Sequence, residues 1–165
     1  MYRFTVSTDV AAAPERVWRA LCDPAEVVLW DTGVEEAIDA PDDYPQPGQH
    51  VRWRYSNGPF RILNDRPQDV VPNKRLRSLL AVGPFRFDET YTLKDYGSGE
   101  DYGSGEENEP GEEAGPGCRL TAEMDVSVPV PVLGFIVERA YLGPSTKRSM
   151  EASLYAIKRH CEAAP

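Results

Sequence analysis

The chain contains few of the residues that build metal centres and disulfide frameworks. Its 165 residues include three cysteines and two histidines, and none of these has the spacing of metal ligands. Cys22, Cys118 and Cys161 are therefore expected to be small buried hydrophobic residues in a reducing compartment. His50 and His160 have no neighbouring set of ligands, so we predict no metal site and no cofactor.

Long apolar runs are also missing from the sequence. No stretch approaches the length that spans a bilayer, and the first residues lack the charged and apolar regions of a signal peptide. We therefore expect a cytoplasmic protein with no membrane span. No glycine-rich phosphate loop, nucleophile elbow or cysteine–histidine pair occurs, which leaves nucleophilic catalysis without support.

Positive charge is absent from one segment, which accounts for most of the net charge of −9. Residues 95–117 hold eight of the 27 acidic residues and include a direct repeat, in which Asp95–Glu100 is copied as Asp101–Glu106. Without these eight, 19 acidic residues nearly balance 18 basic ones, and nucleic acid binding is disfavoured. The segment is expected to be a flexible loop. It is either a protein-docking segment or a duplication tolerated at the surface.

The first thirty residues predict one strand followed by two short helices. Apolar and polar residues alternate over 4–8, which is typical of a strand with one buried face. Pro14 marks the beginning of the first helix, where its missing N–H costs nothing. Asp23 is expected to cap a second helix that begins at Pro24, and Glu26 is expected to complete a capping box.

Alternating apolar and polar residues predict six further strands. Turns are indicated at Asn57-Gly58, Pro72-Asn73 and Gly83-Pro84, because these residue types favour tight turns. With the first strand, the count is about seven. The six predicted strands are 34–38, 51–55, 60–63, 76–82, 85–93 and 120–128.

The last segment changes to a helical period. From 132 to about 162 the apolar residues recur on one helical face, with a break at Gly143-Pro144. An antiparallel sheet of this size has to cover its apolar face, and only this helix is large enough to do so. We predict an α+β fold in one domain over 1–165, with a curved sheet wrapped round the C-terminal helix. Such an arrangement can enclose a cavity.

Several segments along the chain match a known pattern. They are Phe4–Ser7, Ala13–Pro24, Trp30, the pair Pro47-Gly48 before a strand and, more weakly, Ser153–Lys158. In these segments the chain resembles the START-like superfamily, which is also called the Bet v 1-like or SRPBCC group and has the helix-grip fold. The resemblance covers nearly the whole chain apart from the acidic loop.

The resemblance implies a ligand cavity between the sheet and the last helix. Members of the superfamily include polyketide cyclases, lipid and sterol carriers, plant hormone receptors and chaperone-activating domains, so no particular reaction is implied. The small bacterial and archaeal polyketide-cyclase-like proteins look most similar. No catalytic motif of theirs can be carried over to a residue of this chain.

Glu89 lies in the apolar phase of the predicted strand 85–93, where alternation points it inward among aromatic residues. A carboxylate in a cavity has a raised pKa unless it is paired. Glu89, with Tyr91 beside it, is therefore a candidate for proton transfer or for anchoring a ligand. The alternative is a break in register, or a glutamate at the rim of the sheet that pairs with an arginine.

The predicted ligand-binding side chains share the inward phase of their strands and line a pocket of about 300–1,000 Å³. For each aromatic residue, ordinary core packing is the competing interpretation. Trp30 is expected either at the mouth of the pocket or as a plug in the core. The predicted set is Trp53, Tyr55, Ser78, Phe87, Glu89, Tyr91 and Met124.

Three functions fit this pattern. The first is binding of a hydrophobic or aromatic small molecule in the cavity. The second is a reaction of the polyketide cyclase or dehydratase kind, in which Glu89 and Tyr91 handle protons. The third is a protein-interaction module, as in chaperone-activating relatives, that docks a partner through residues 95–117.

Overall fold

The computed structural model describes residues 2–96, 117–127 and 143–163. Within these ranges, seven strands form one antiparallel sheet in the order β1-β7-β6-β5-β4-β3-β2. The elements are β1 (Tyr2–Val10), α1 (Pro14–Cys22), α2 (Pro24–Trp30), β2 (Val34–Ala37), β3 (Val51–Tyr55), β4 (Ile62–Val71), β5 (Arg75–Val82), β6 (Phe85–Asp95), β7 (Cys118–Ser127) and α3 (Gly143–Glu162).

The long helix α3 covers the apolar face of the sheet. It packs against β1 and β7 and against both short helices. Its buried side chains recur at intervals of three or four residues, as one face of a helix requires. They are Met150, Leu154, Ile157 and Cys161. The predicted α+β fold, with a curved antiparallel sheet and a long C-terminal helix, is confirmed.

The two short helices begin as the sequence predicts. Pro14 is the first residue of α1 and Pro24 the first of α2. Asp23 caps α2, because its side chain accepts a hydrogen bond of 2.9 Å from the N–H of Ala25. The predicted capping box is wrong. Glu26 instead accepts hydrogen bonds from arginine side chains of α1, and the N–H of Asp23 donates to a carbonyl of α1.

Strand β4 is longer than predicted. It runs from Ile62 to Val71, whereas the sequence indicates a strand that ends at 63. Pro67 lies inside it without ending it, and the pairing with β5 shifts between Pro67 and Asp69. This shift is the irregularity with which a sheet tolerates a residue that has no N–H.

The predicted turns are confirmed where the backbone needs a positive φ. Asn73 has a φ of 61° and Gly83 a φ of 54°, and each lies between two paired strands. Both fall in the left-handed region, which asparagine and glycine tolerate better than other residues.

Most of the predicted acidic loop lies outside the described residues. Asp95 belongs to β6, and the N–H of Tyr96 donates to the carbonyl of Gly117 at 3.1 Å. The β6–β7 ladder therefore extends to both ends of residues 97–116. The predicted helix over 132–142 also lies outside the described residues, which resume with α3 at Gly143.

None of the helices in the described ranges has both the length and the apolar character that crossing a membrane requires.

Candidate functional site

A cavity of about 190 Å³ lies between the inner face of the sheet and α3. Strands β3 to β7 contribute one wall, and Thr146, Ser149, Met150 and Ser153 of α3 contribute the other. The volume is smaller than the predicted range of about 300–1,000 Å³. Large aromatic side chains, among them Trp30, Trp53 and Phe87, line the cavity.

All of the side chains predicted from alternation lie at this cavity. The set comprises Trp53, Tyr55, Ser78, Phe87, Glu89, Tyr91 and Met124. Sheet register explains how residues distant in sequence meet, because Glu89 pairs with Ser78 on β5 and with Met124 on β7. That they bind a ligand stays a prediction.

Glu89 borders the cavity in an environment that disfavours its charged form. Burial raises the pKa of Glu89 to about 8, the hydroxyl of Tyr91 opposes this rise, and the nearby Asp65 and Asp31 add to it. Among the described residues, the side chains that shift the pKa of Glu89 are acidic or phenolic. None of the described residues that line the cavity is basic. The structure thus places Glu89 half-buried at the cavity, and no described residue gives it the arginine partner that a position at the rim would offer.

Tyr91 is buried beside Glu89 and touches α3. Its hydroxyl donates to Met150 Sδ at 3.7 Å. Burial, with the nearby acidic Glu89, raises the pKa of Tyr91 well above its usual value. Tyr91 therefore keeps its proton at neutral pH and serves as a hydrogen-bond donor rather than as a base.

Asp65 is a second carboxyl at the cavity, buried and not indicated by the strand pattern of the sequence. Asp65 Oδ2 accepts a hydrogen bond of 2.6 Å from the hydroxyl of Tyr44, whereas Oδ1 has no partner among the described residues. Burial raises the pKa of Asp65. Asp65 lies two residues after Leu63 in β4, so alternation places both on the same face of the sheet. The sequence pattern indicates a strand that ends at 63, and Asp65 is therefore not predicted to face the cavity.

Asp31 is a third carboxyl at the cavity, directly after α2. Its Oδ1 accepts a hydrogen bond of 2.8 Å from the N–H of Gly33. Burial raises the pKa of Asp31 despite the opposing backbone hydrogen bonds. Trp30, one residue earlier, is buried at the cavity wall and donates from Nε1 to the carbonyl of Ala20 at 2.8 Å. This bond fixes the indole against α1.

The described side chains that line the cavity include acidic groups but no basic ones. Among the described residues, the titratable side chains at the cavity are carboxyls and phenols, and no lysine, arginine or histidine takes part. They are Asp31, Tyr44, Tyr55, Asp65, Glu89 and Tyr91. No three His, Cys, Asp or Glu side chains in the described part of the chain form a group that could hold a metal ion.

Comparison with known proteins links this arrangement to a family. The family model described as polyketide cyclase / dehydrase and lipid transport matches residues 1–162. No functionally curated protein matches the sequence.

Solved structures with the same architecture come from several bacteria. A START superfamily protein from Mycobacterium smegmatis has a TM-score of 0.68 at 13% identity, with 99% of each chain covered. A Mesorhizobium loti protein has a TM-score of 0.68 at 16% identity, covering 99% of this chain and 98% of that one. A Rhodobacter sphaeroides protein has a TM-score of 0.66 at 21% identity, covering 99% of this chain and 94% of that one. At these identities the likeness is one of fold.

Proposed function

Because the chain belongs to the polyketide cyclase / dehydrase and lipid transport family, we propose that it binds a hydrophobic or aromatic small molecule in the cavity between its sheet and α3. The observation that carries the proposal is the composition of the cavity wall. Apolar side chains such as Leu76, Leu80 and Val82 surround a few convergent polar groups. Small-molecule sites commonly have this composition, in which the apolar wall supplies affinity and the polar groups fix orientation.

The size of the cavity narrows the class of ligand. A volume of about 190 Å³ favours a small aromatic molecule over a sterol or a long-chain lipid. The rings of Trp30, Trp53 and Phe87 at the wall supply flat apolar surfaces, against which an aromatic ligand packs favourably.

The proposal is tested by blocking the cavity from the helix side. Ser153 of α3 lines the cavity, and the adjacent Ala152 is exposed. Ser153→Phe is expected to fill the cavity, and Ala152→Phe is the matched control on the solvent side of the same helix. Both variants and the unaltered protein are screened by thermal shift against small aromatics, polyphenols, fatty acids and sterols, because a ligand that binds the native state raises Tm.

We expect at least one ligand class to raise Tm in the unaltered protein and in Ala152→Phe, but not in Ser153→Phe. Calorimetric titration then gives the stoichiometry. Equal shifts in both variants would place binding elsewhere on the protein. No shift with any class would contradict the proposed function.

A second candidate function is proton transfer on the bound molecule. The observation in its favour is the pKa of Glu89, raised by burial to about 8, since a general acid or base works best with a pKa near the working pH. In that case Glu89→Gln retains ligand binding and loses turnover, which mass spectrometry of the incubated ligand measures. A ligand recovered unchanged from the unaltered protein argues against this reaction.

A further inference from the structure

The carboxyls at the cavity have no described basic partner. Glu89 on β6, Asp65 on β4 and Asp31 after α2 all line the cavity, and the other titratable groups that the described lining contributes are the hydroxyls of Tyr44, Tyr55 and Tyr91. Helix α3 contributes the uncharged Thr146, Ser149 and Ser153 in the described part of the lining. A buried carboxylate without a positive neighbour is costly, and such groups normally pair with a cation or stay protonated.

Two polar atoms at the same wall also have incomplete hydrogen bonding among the described residues. Asp65 is 5% exposed and Ser78 is 4% exposed. Ser78 and Trp53 lie close enough to Asp65 to oppose the rise in its pKa, but Asp65 Oδ1 and Ser78 Oγ make no hydrogen bond of ordinary geometry with any described residue. Buried polar atoms are nearly always satisfied in folded proteins, so a polar group of a ligand in the cavity would complete the hydrogen bonding of these two atoms.

Aromatic rings surround these polar groups. The rings of Tyr44 and Trp53 lie 5.8 Å apart in an edge-to-face arrangement, and Trp30, Tyr55 and Phe87 also border the cavity. The face of an aromatic ring attracts a cation, most strongly where water is excluded. Carboxyls and aromatic faces around one cavity are together suited to an organic ammonium group.

We propose that the ligand of this cavity is a hydrophobic amine, whose ammonium group lies against Glu89 and Asp65 and whose apolar part packs among the aromatic side chains. This inference rests on the proposed function and adds the chemical class of the ligand. An organic cation fits better than a metal ion, because the carboxyls are not grouped closely enough to coordinate one. A carboxylate ligand would meet acidic groups on several sides of the cavity.

Binding of an amine has a consequence for the proton on Glu89. Burial and the neighbouring acids raise the pKa of Glu89 to about 8, so the carboxyl is largely protonated at neutral pH. An adjacent ammonium group stabilises the carboxylate form. The proton of Glu89 is then released to the solvent as the amine binds, and the bound pair is an ion pair.

The test uses three probes that differ in one terminal group. Tryptamine carries an ammonium, tryptophol a hydroxyl and indolepropionate a carboxylate, on the same indole ring. Calorimetric titration near neutral pH is expected to show tryptamine binding about tenfold more tightly than tryptophol, with indolepropionate weakest. Repeating the tryptamine titration in buffers of different ionisation enthalpy is expected to show proton release, which tryptophol does not cause.

Two variants of β6 distinguish the effect of the cavity carboxyl on amine binding from the effect of removing any negative charge. In Glu89→Gln, tryptamine is expected to fall to the affinity of tryptophol, and the proton release is expected to disappear. Asp88→Asn is the matched control, because Asp88 is the preceding residue and pairs with Arg77 instead of lining the cavity. If Glu89→Gln does not fold by circular dichroism, Asp65→Asn is measured in its place and is expected to reduce the preference for tryptamine.

The outcomes distinguish the two proposals. Tryptophol or indolepropionate binding as tightly as tryptamine would overturn the amine assignment and leave the proposed function standing. An amine preference that survives in the cavity variant would also overturn it. If none of the three probes binds, the amine assignment is wrong, and the broader ligand screen decides the proposed function separately.

Discussion

Glu26 Oε2 lies 2.9 Å from His160 Nε2, and this contact joins α2 to the last turns of α3. Arg16 of α1 donates to the same oxygen at 2.6 Å, and Arg19 donates to Oε1 at 2.7 Å. Burial by itself raises the pKa of Glu26, but the hydrogen bonds from His160 and Arg16 outweigh it and lower that pKa overall. A single carboxylate thus ties together the helices that flank the cavity.

Glu26→Gln is therefore expected to reduce the free energy of unfolding by about 1–3 kcal/mol at neutral pH. Since folding lowers the pKa of Glu26 from its ordinary value of 4.5, its contribution is complete above that value and is lost as pH falls through the folded-state pKa. Urea denaturation at several pH values measures this. Glu35→Gln, on the exposed side of β2, is the control. Equal losses in the two variants would contradict the prediction.

Glu89 is expected to affect stability with the opposite dependence on pH. Its pKa is raised on folding from 4.5 to about 8, so the folded state binds the proton more tightly than the unfolded state. The free energy of unfolding then falls as pH rises through that interval and levels off above it. We expect a loss of up to about 5 kcal/mol that Glu89→Gln does not show. Parallel curves for the two proteins in urea denaturation would refute this dependence.

Ser78→Ala is expected to leave the unliganded protein as stable as before, or more stable by up to about 1 kcal/mol. The hydroxyl of Ser78 is buried and makes no hydrogen bond of ordinary geometry with a described residue, although it lies near the Asp65 carboxyl. Its removal therefore relieves a desolvation cost and gives up little hydrogen bonding. Ser7→Ala is the matched control. Ser7 Oγ lies 3.0 Å from Thr121 Oγ1 on the exposed side of the β1–β7 pair, and its loss is expected to cost about 0.5–1 kcal/mol. A marked drop in Tm for Ser78→Ala would show that its hydroxyl has a partner.

Replacing residues 97–116 by a two-residue Asn-Gly turn is expected to change the free energy of unfolding by less than about 1 kcal/mol. The β6–β7 ladder already extends to Asp95 and Cys118, and Tyr96 bonds to Gly117 beyond them. A shorter connection costs less entropy to close, and no pairing of the described residues is lost. Thermal unfolding and the amine titration measure the result. Loss of folding would show that the segment takes part in the core.

Alternation predicted the inward side chains well, because a strand with one buried face leaves little freedom in where each residue points. Glu89 illustrates this. Its polarity argues against burial, yet the phase it shares with Phe87 and Tyr91 placed it at the cavity, where the structure has it. Sheet register adds Ser78 and Met124 as its direct neighbours.

Local sequence patterns did not predict the positions of side chains that depend on contacts between distant parts of the chain. Asp65 was missed because Pro67 argues against a strand, and only the shifted pairing with β5 accommodates it. Tyr44 lies in a proline-rich loop with no period, so its contact with Asp65 depends entirely on the fold. Glu26 has the spacing of a capping box, but two arginines on α1 attract its carboxylate more strongly than a backbone N–H does.

The opposite environments of Asp88 and Glu89 restrict where this chain can change length. An insertion of one residue in β6 before Glu89 would move an outward, ion-paired position into the cavity and turn the buried carboxyl out to solvent. An insertion beyond Tyr96 leaves Asp88 and Glu89 in place, because such an insertion lies past the last paired residues of the β6–β7 hairpin. Insertions and deletions should therefore accumulate at that end of the hairpin as the sequence diverges, and the duplicated Asp95–Glu100 hexapeptide lies there.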